Sequence, residues 1–482
     1  MKKLLMIFAI LAACMFASSI AEDKPVVYTF GDYQYTLLED GTAKITSYKG
    51  TEENLQIPDQ LNGYTVTSIG DEAFSRLSSL DSVTIPKGIK NMDANPFLGC
   101  DGLEIIRVAP ESQYFATIDG VLFNKAEKKL VCYPKAFDAE SYSIPNGILS
   151  IGDKAFYWCT PLKSITIPQS VTKIGNSAFS LTSLTEIALP ESITTIGGDA
   201  FSACDSLTSI FIPKGVSDIS ANPFVNCGNL TEIQLSPENQ HLEIVGGVLF
   251  HKAEKKLICY PGFLKDESYS IPDGILVIGE GAFHCSRSLL GVAIPQSVTV
   301  IGASAFSECS QLTEIILPDG VREIGNRAFS LCSALSSINI PEGVTAIGDS
   351  VFNSCKSLVS ITLPQSVTAI GSSSFRSCTS LTSISISGNI TSIGKNAFRS
   401  CVSLTGITLP EGITTIEDCA FGWCKALTDI KIPKSVTTIG NDAFRECGKI
   451  LFEVEADSYA EKWAIGHGYD YTYTESLDWL FG

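Results

Sequence analysis

Histidine is nearly missing from this 482-residue chain, which holds four of them beside four methionines and four tryptophans. His241, His251, His284 and His467 are therefore its whole supply of imidazole, and none stands in an HExxH helix motif, so the common zinc-hydrolase pattern is excluded. GxSxG elbows, P-loops and strand-following GxGxxG turns are also absent. Asp and Glu are scattered, and no pair singles itself out as a general acid and base. Cations are scarce too: 34 Lys and Arg against 52 Asp and Glu leave a net charge of −18. A chain this acidic lacks the clustered positive charge that a phosphate backbone or an anionic lipid surface demands. Nucleic acid is thereby excluded as a partner. No apolar run reaches the ~20 residues that span a bilayer. Catalysis, a bound cofactor and a metal ion are accordingly not expected, and a secreted hydrolase remains only a distant alternative.

What the chain does have is a period. Phenylalanine recurs at 283, 306, 329, 352, 375, 398, 421 and 444, an unbroken series of equal steps. Upstream the same frame holds Phe74, Phe97, Phe156, Phe179, Phe201 and Phe224, with steps of 23, 59, 23, 22 and 23, and 59 again before Phe283. Such self-similarity marks a stack of coils, none of which can bury its own apolar face alone. Counted from each Phe, apolar residues fall at +3 (usually Cys), +6, +9 and +11, and Pro usually follows at +12. The +9/+11 alternation predicts a short strand, which proline ends because it has no amide for the ladder. Ala-Phe-x-x-Cys reads as a single turn of α- or 3₁₀-helix, and Thr-x-Ile-Gly, as in Thr299-Val300-Ile301-Gly302, as a turn.

Met1-Lys2-Lys3 and the apolar stretch Leu4–Ala17 have the layout of an export signal, with cleavage expected after Ala21. Leu11-Ala12-Ala13-Cys14 also has the form of a lipobox, which would leave Cys14 carrying a single lipid anchor. Each of the two long steps holds a copy of one insert: the stretch Gly120–Pro134 returns, closely similar, from Gly247 onward. Each reads as strand, charged turn and strand, a hairpin carried by an altered coil. Lys125, Lys128, Lys129 and Lys252, Lys255, Lys256 mark the two turns and read as solvated. Sixteen cysteines would suggest a disulfide framework in an exported chain. Eleven, however, occupy the +3 site, where stacking would set them ~4.8 Å apart with parallel Cα–Cβ bonds. A disulfide needs Cβ atoms ~3.8 Å apart and converging, so buried free thiols are expected. Cys285 breaks the pattern by standing at +2.

The motif Ala-Phe-x-x-Cys-x-x-Leu-x-x-Ile-x-Ile-Pro-x-x-Val-x-x-Ile-Gly resembles the BspA-type leucine-rich repeat of bacterial surface proteins, over roughly four-fifths of the chain. The resemblance implies an α/β solenoid: a right-handed superhelix of short strands stacked into one parallel sheet, with a β cap before it and a helix/strand cap after it. The expected layout is a signal peptide over 1–21, an N-terminal β cap over 22–59 and the solenoid over 60–447. Hairpin-bearing inserts fall near 110–145 and 237–272, and a C-terminal cap covers 448–482. Asp457 or Ser458 would start the last helix, and Gly466 or Gly468 would end it.

On each strand the +8 and +10 side chains should face away from the core. That face is mostly short hydroxyls in the C-terminal half, while Phe211 and Ile316 interrupt its middle with Glu186, Glu232 and Glu314 beside them. An exposed apolar side chain ringed by polar groups has the make-up of an interface hot spot. The resemblance implies a non-catalytic protein, secreted or held at the cell surface, that adheres to host matrix or plasma proteins or to other bacteria. A scaffold binding the cell's own envelope proteins or polysaccharide is the alternative.

Overall fold

A phenylalanine at the same place in every repeat becomes, once the coils stack, an aromatic spine. The computed structural model describes residues 25–386 and 389–474; the segment read as an export signal, Cys14 included, lies outside them. These residues form two compact units. One runs up to Ala126 and includes Pro134–Ala136; the other comprises Glu127–Tyr133 and the described residues from Phe137 onward.

In the second unit the rings from Phe283 to Phe444 stack face to face, 4.9–5.7 Å between centroids and within 19° of parallel. Phe156, Phe179, Phe201 and Phe224 form a second run at 5.1–5.8 Å. Each run begins on a tyrosine that an insert delivers into the phenylalanine slot: Tyr133 lies 5.1 Å from Phe156, and Tyr260 lies 5.2 Å from Phe283. At the C-terminal end Phe452 and Trp463 close the spine edge-on against Phe444. Counting from Phe444 puts Phe452 in the outward +8 column. The last coil is one residue short, however, so Phe452 pairs with inward-facing Ile430 and is buried.

Each coil bonds to its neighbours along three segments. The predicted +8 to +11 strand forms and pairs in parallel, as Ser209↔Glu232 and Ser360↔Ser383 show. The second segment corrects the expected turn. Thr-x-Ile is instead a two-residue strand, and its isoleucines run in register from Ile151 through Ile174 and Ile196 to Ile219. There are thus two parallel ladders rather than the one expected. The third segment is the Ala-Phe-x-x-Cys stretch, which also bonds from coil to coil. Around Phe398, the amides of Asn396, Phe398 and Ser400 donate to Asp418, Ala420 and Gly422 of the next coil at 3.0, 2.7 and 2.7 Å. That geometry puts residues two before and two after the phenylalanine in the left-handed region, Asn396 at φ 57° and Ser400 at φ 62°. Non-glycine residues there cost ~1–2 kcal/mol each, and the inter-coil bonds offset that cost. Locally the expected turn is of the 3₁₀ type, closed by i to i+3 bonds such as Cys401 N–H to the Phe398 carbonyl at 3.1 Å.

The +3 cysteines have a role beyond filling space. Cys401 Sγ donates to the Phe375 carbonyl of the preceding coil at 3.0 Å, and Cys309, Cys332, Cys355, Cys378 and Cys424 repeat this at 3.0–3.2 Å. None of the fifteen described cysteines is in a disulfide. Burial holds the protonated form of this column, pushing Cys378 up to about 12. Cys378→Ala should lower stability by ~0.5–1.5 kcal/mol, because the Phe352 carbonyl loses one of its two donors and keeps only the Cys355 amide. Cys378→Ser should recover part of the loss, since a hydroxyl also donates. Urea midpoints of the three proteins check this.

The second insert, 237–272, is a three-stranded antiparallel meander of Leu242–Val245, Val248–His251 and Lys256–Cys259, one strand more than the expected hairpin. Its last strand joins the parallel ladder beside Val277–Ile278. The meander is pinned by buried Asn239. Its Nδ2 donates to the carbonyls of Pro213 and Val216, and its Oδ1 accepts from the amides of His241 and Leu242, at 2.8–3.1 Å. The terminal helix Tyr459–His467 starts on Ser458, whose hydroxyl accepts from Glu461 N–H, and stops at Gly468 in the left-handed conformation.

In the first unit, Tyr28–Phe30, Tyr33–Leu37 and Ala43–Tyr48 form an antiparallel meander. Ala43–Tyr48 then pairs in parallel with Tyr64–Ile69, and Asn54–Gln56 with Ser82–Ile85, so the cap seeds both ladders. Tyr48 packs at 5.7 Å on Phe74, which stacks on Phe97 at 5.6 Å. In the first insert Phe115–Ile118 pairs antiparallel with Val121–Asn124 across Asp119-Gly120, a hairpin that lies ahead of the expected charged turn.

Candidate functional site

Side chains at +8 and +10 of the strand face point outward because their neighbours at +9 and +11 fill the core. Phe211, on Ser209–Ile212, is 43% exposed, and Ile316, just beyond Glu314–Ile315, is 75% exposed. Glu186, Glu232 and Glu314 are exposed as well. Not every member of the columns behaves so: Ser82 in the first unit is covered and donates to Asn54 Oδ1.

These five residues fall in separate groups. Phe211 sits opposite Gln234, two residues from Glu232, on a two-stranded sheet, and Glu232 accepts from Gln234 Nε2 at 2.8 Å. Glu186 lies one coil earlier, outside any strand. Glu314 belongs to the four-stranded sheet that starts with Ser268–Ser270, on the far side of the insert in chain order. Ile316 is the residue that this sheet sets beside concave space. Grooves of about 710 and 400 Å³ flank it, and both are walled by Glu314, Ile315 and Ile316. Ser337, Ser360 and Thr362 continue the wall on one side, Ser268 and Ser270 on the other. Glu314 and Glu342 are the charged groups among these lining residues. Asn339 steadies the rim, accepting from Leu317 N–H at 2.7 Å and donating back to the Leu317 carbonyl at 2.8 Å.

A different constellation lies where the second insert interrupts the stack. A cavity of about 690 Å³ opens there, lined by Asp205, Asn226, Tyr260, Lys265, His284 and Arg287 among others. Cys285 lies on its wall, and its Sγ donates to Glu308 Oε2 at 3.4 Å. Glu308 Oε2 also accepts from Arg287 at 3.0 Å, and Glu308 Oε1 lies 3.8 Å from His284 Nε2. Burial, and then the Glu308 charge, push the Cys285 thiol up to about 12. Burial alone would raise Glu308 as well, but hydrogen bonds from Arg287 and Cys285 hold it below the usual glutamate range. His284, Cys285 and Glu308 each offer one donor atom, all within 4.8 Å of one another.

The other expected features are tied into the fold. His251 Nδ1 accepts from Glu254 N–H, and its Nε2 lies 3.2 Å from the Ser217 carbonyl. His467 stacks on Trp463 at 4.2 Å. In the insert turns, Lys125 and Lys252 donate to the carbonyls of Ser112 and Asn239, while Lys129 pairs with Glu127. The sequence reading missed the grouping around Cys285. Its signal was there in the shift of that cysteine from +3 to +2, but the partner at Glu308 emerges only when adjacent coils are aligned.

Stacked β coils with an aromatic spine and one outward strand face define a repeat solenoid. The chain belongs to the BspA-type leucine-rich repeat family: that repeat region, in six copies, matches residues 47–129, 130–253, 259–378 and 345–458. Among solved structures, a leucine-rich repeat protein from Eubacterium ventriosum is 23% identical, with 87% of this chain and 94% of that one covered at a TM-score of 0.52. One from Bacteroides ovatus is 23% identical, with 93% and 100% covered and a TM-score of 0.46. A leucine rich cell surface protein from Faecalibacterium prausnitzii is 27% identical, with 92% and 98% covered and a TM-score of 0.36. No curated protein matches the sequence. Among the described residues no helix is long and apolar enough to cross a membrane.

Proposed function

We propose that this chain is an exported, non-catalytic adhesion protein of the bacterial surface that grips an extracellular protein along the strand face around Ile316. The observation that carries the reading is Ile316 itself: a large aliphatic side chain three-quarters exposed between two grooves. Folding gains nothing by leaving it there, and apolar anchors seated among polar neighbours dominate protein interfaces. Glu314 and Glu342 favour a partner segment that brings an apolar side chain together with Lys or Arg. Phe211 with Glu232 and Glu186 forms a second, smaller contact. Membership of a repeat family built on stacked surfaces supports binding over chemistry. Export through the N-terminal segment, with Cys14 as the site of a single lipid anchor, completes the proposal.

The test is binding of the purified chain to host matrix and plasma proteins, to whole bacteria and to cell-wall polysaccharide. With the protein ligand so found, Ile316→Asp should weaken binding at least ~30-fold, corresponding to a hot spot of ~2 kcal/mol. Its thermal midpoint should stay unchanged. Phe211→Ala should show a smaller loss. Unaltered affinity in both variants would remove this face as the docking surface, and capture of polysaccharide alone would favour the envelope-scaffold alternative.

A further inference from the structure

The coil at Phe283 departs from its siblings in a way that folding does not explain. Everywhere nearby in the spine a thiol at +3 donates to the carbonyl of the preceding coil, as Cys309 does to Phe283 at 3.0 Å. Here +3 is Ser286, whose buried hydroxyl has no hydrogen-bond partner. The thiol has moved one residue back, to Cys285 at φ 62°, on the rim of the 690 Å³ cavity. The shift weakens the internal column and delivers a sulfur to a wall that already carries other donors.

Stacking explains which donors those are. Cys285 and Glu308 hold the same +2 position in adjacent coils, so their side chains emerge side by side. His284 precedes Cys285 and reaches the other oxygen of the same carboxylate. On the opposite side Asn226, also at +2, lines the same cavity. A tetrahedral Zn2+ with ordinary bond lengths has donor–donor edges of about 3.3–3.6 Å. The 3.4 Å sulfur–oxygen distance is to Glu308 Oε2 and the 3.8 Å nitrogen–oxygen distance to Oε1, so with one carboxylate oxygen as ligand the donor set, which lies within 4.8 Å, contracts by up to ~1.5 Å around the ion.

We infer that His284, Cys285 and Glu308 bind one divalent cation of borderline softness, Zn2+ foremost, with its fourth position open to the cavity. Thiolate, imidazole and carboxylate together select such an ion over Mg2+ or Ca2+, which require oxygen donors alone. On binding, the Cys285 proton leaves to solvent, sulfur and imidazole nitrogen each give a lone pair to the metal, and no redox change occurs. Arg287 is 62% exposed at its side chain and can turn away, or stay on the Glu308 lone pair that faces outward. The ion would join two neighbouring coils at the seam beside the insert.

Cobalt(II) is the probe, added to the reduced full-length chain after chelator treatment and dialysis. The expected result is one Co2+ per chain, a near-ultraviolet sulfur-to-cobalt charge-transfer band, and visible bands of tetrahedral intensity, all reversed by added Zn2+. Cys285→Ser should abolish the charge-transfer band, and His284→Gln should weaken affinity by more than the ~10–100-fold typical of an outer-shell change. Cys419→Ser, a change at another half-exposed thiol, should alter neither. Far-ultraviolet spectra and thermal midpoints show that the variants are folded. Failure of the wild-type chain to bind cobalt stoichiometrically, or an unchanged band in Cys285→Ser, would overturn the assignment. Adhesion does not enter these readouts, so their failure and that of the proposed docking face are told apart.

Discussion

Replacing Phe375 with alanine should lower the unfolding free energy by about 3–5 kcal/mol, the usual cost of emptying a fully buried phenylalanine site. The expectation sits at the high end of that range for two reasons. The ring touches two others, Phe352 at 5.4 Å and Phe398 at 5.3 Å, so one substitution removes two stacked pairs worth ~0.5–1.5 kcal/mol each beyond the buried area. The site also cannot collapse, because the rungs on either side fix the coil spacing: Phe375 N–H to Ala397 O and Phe352 N–H to Ser374 O, at 2.8 and 2.7 Å. Phe375→Leu should restore much of the loss. Urea denaturation followed by circular dichroism checks this, and a shallower, two-step transition in the alanine variant would show the stack parting at the vacated coil, as nearest-neighbour coupling requires.

Asn239→Ala should cost about 3 kcal/mol or more, although it removes a small polar side chain. The Val216 carbonyl and the amides of His241 and Leu242 lose their side-chain partner at once, while the Pro213 carbonyl keeps the Val216 amide. Each buried polar group left unsatisfied costs ~1–3 kcal/mol. The loss should be local: hydrogen exchange should quicken across Leu242–His251 before the distant coils around Phe398 respond. Uniform exchange throughout the second unit would contradict the view that this asparagine pins the insert. Asn239→Asp should rescue the amides of His241 and Leu242 but not the carbonyls of Pro213 and Val216, giving an intermediate loss.

The repeat was legible because one ring in a fixed frame leaves a mark that composition cannot imitate. The helix boundaries were legible to within two residues, Asp457 or Ser458 and Gly466 or Gly468, because capping is a local matter of one side chain and one dihedral angle; Ser458 and Gly468 are the caps. What escaped the reading is what neighbours impose. A two-residue strand followed by glycine, such as Val300–Ile301, looks like a turn until the coil beside it supplies a register. The left-handed residues two places after each phenylalanine include Leu331 and Trp423, side chains that by themselves disfavour that conformation. The inter-coil rungs compel it. The outward setting of Phe211 and Ile316 followed from simple alternation, whereas the grooves beside Ile316 depend on how successive coils stack and on side chains that other coils contribute. Cysteine at +3 was read as a small apolar residue, and the acceptor for its proton lies one coil back, beyond the reach of any linear motif.

That last pairing makes the chain a recorder of its own opening. A sulfhydryl that spends its proton on a neighbour's carbonyl is hidden from alkylating reagents for as long as two successive turns stay together, and is laid bare when they separate. Pulse labelling read out by peptide mass would therefore convert the column from Cys309 to Cys447 into a position-by-position log of where breathing begins, with no dye or engineered tag.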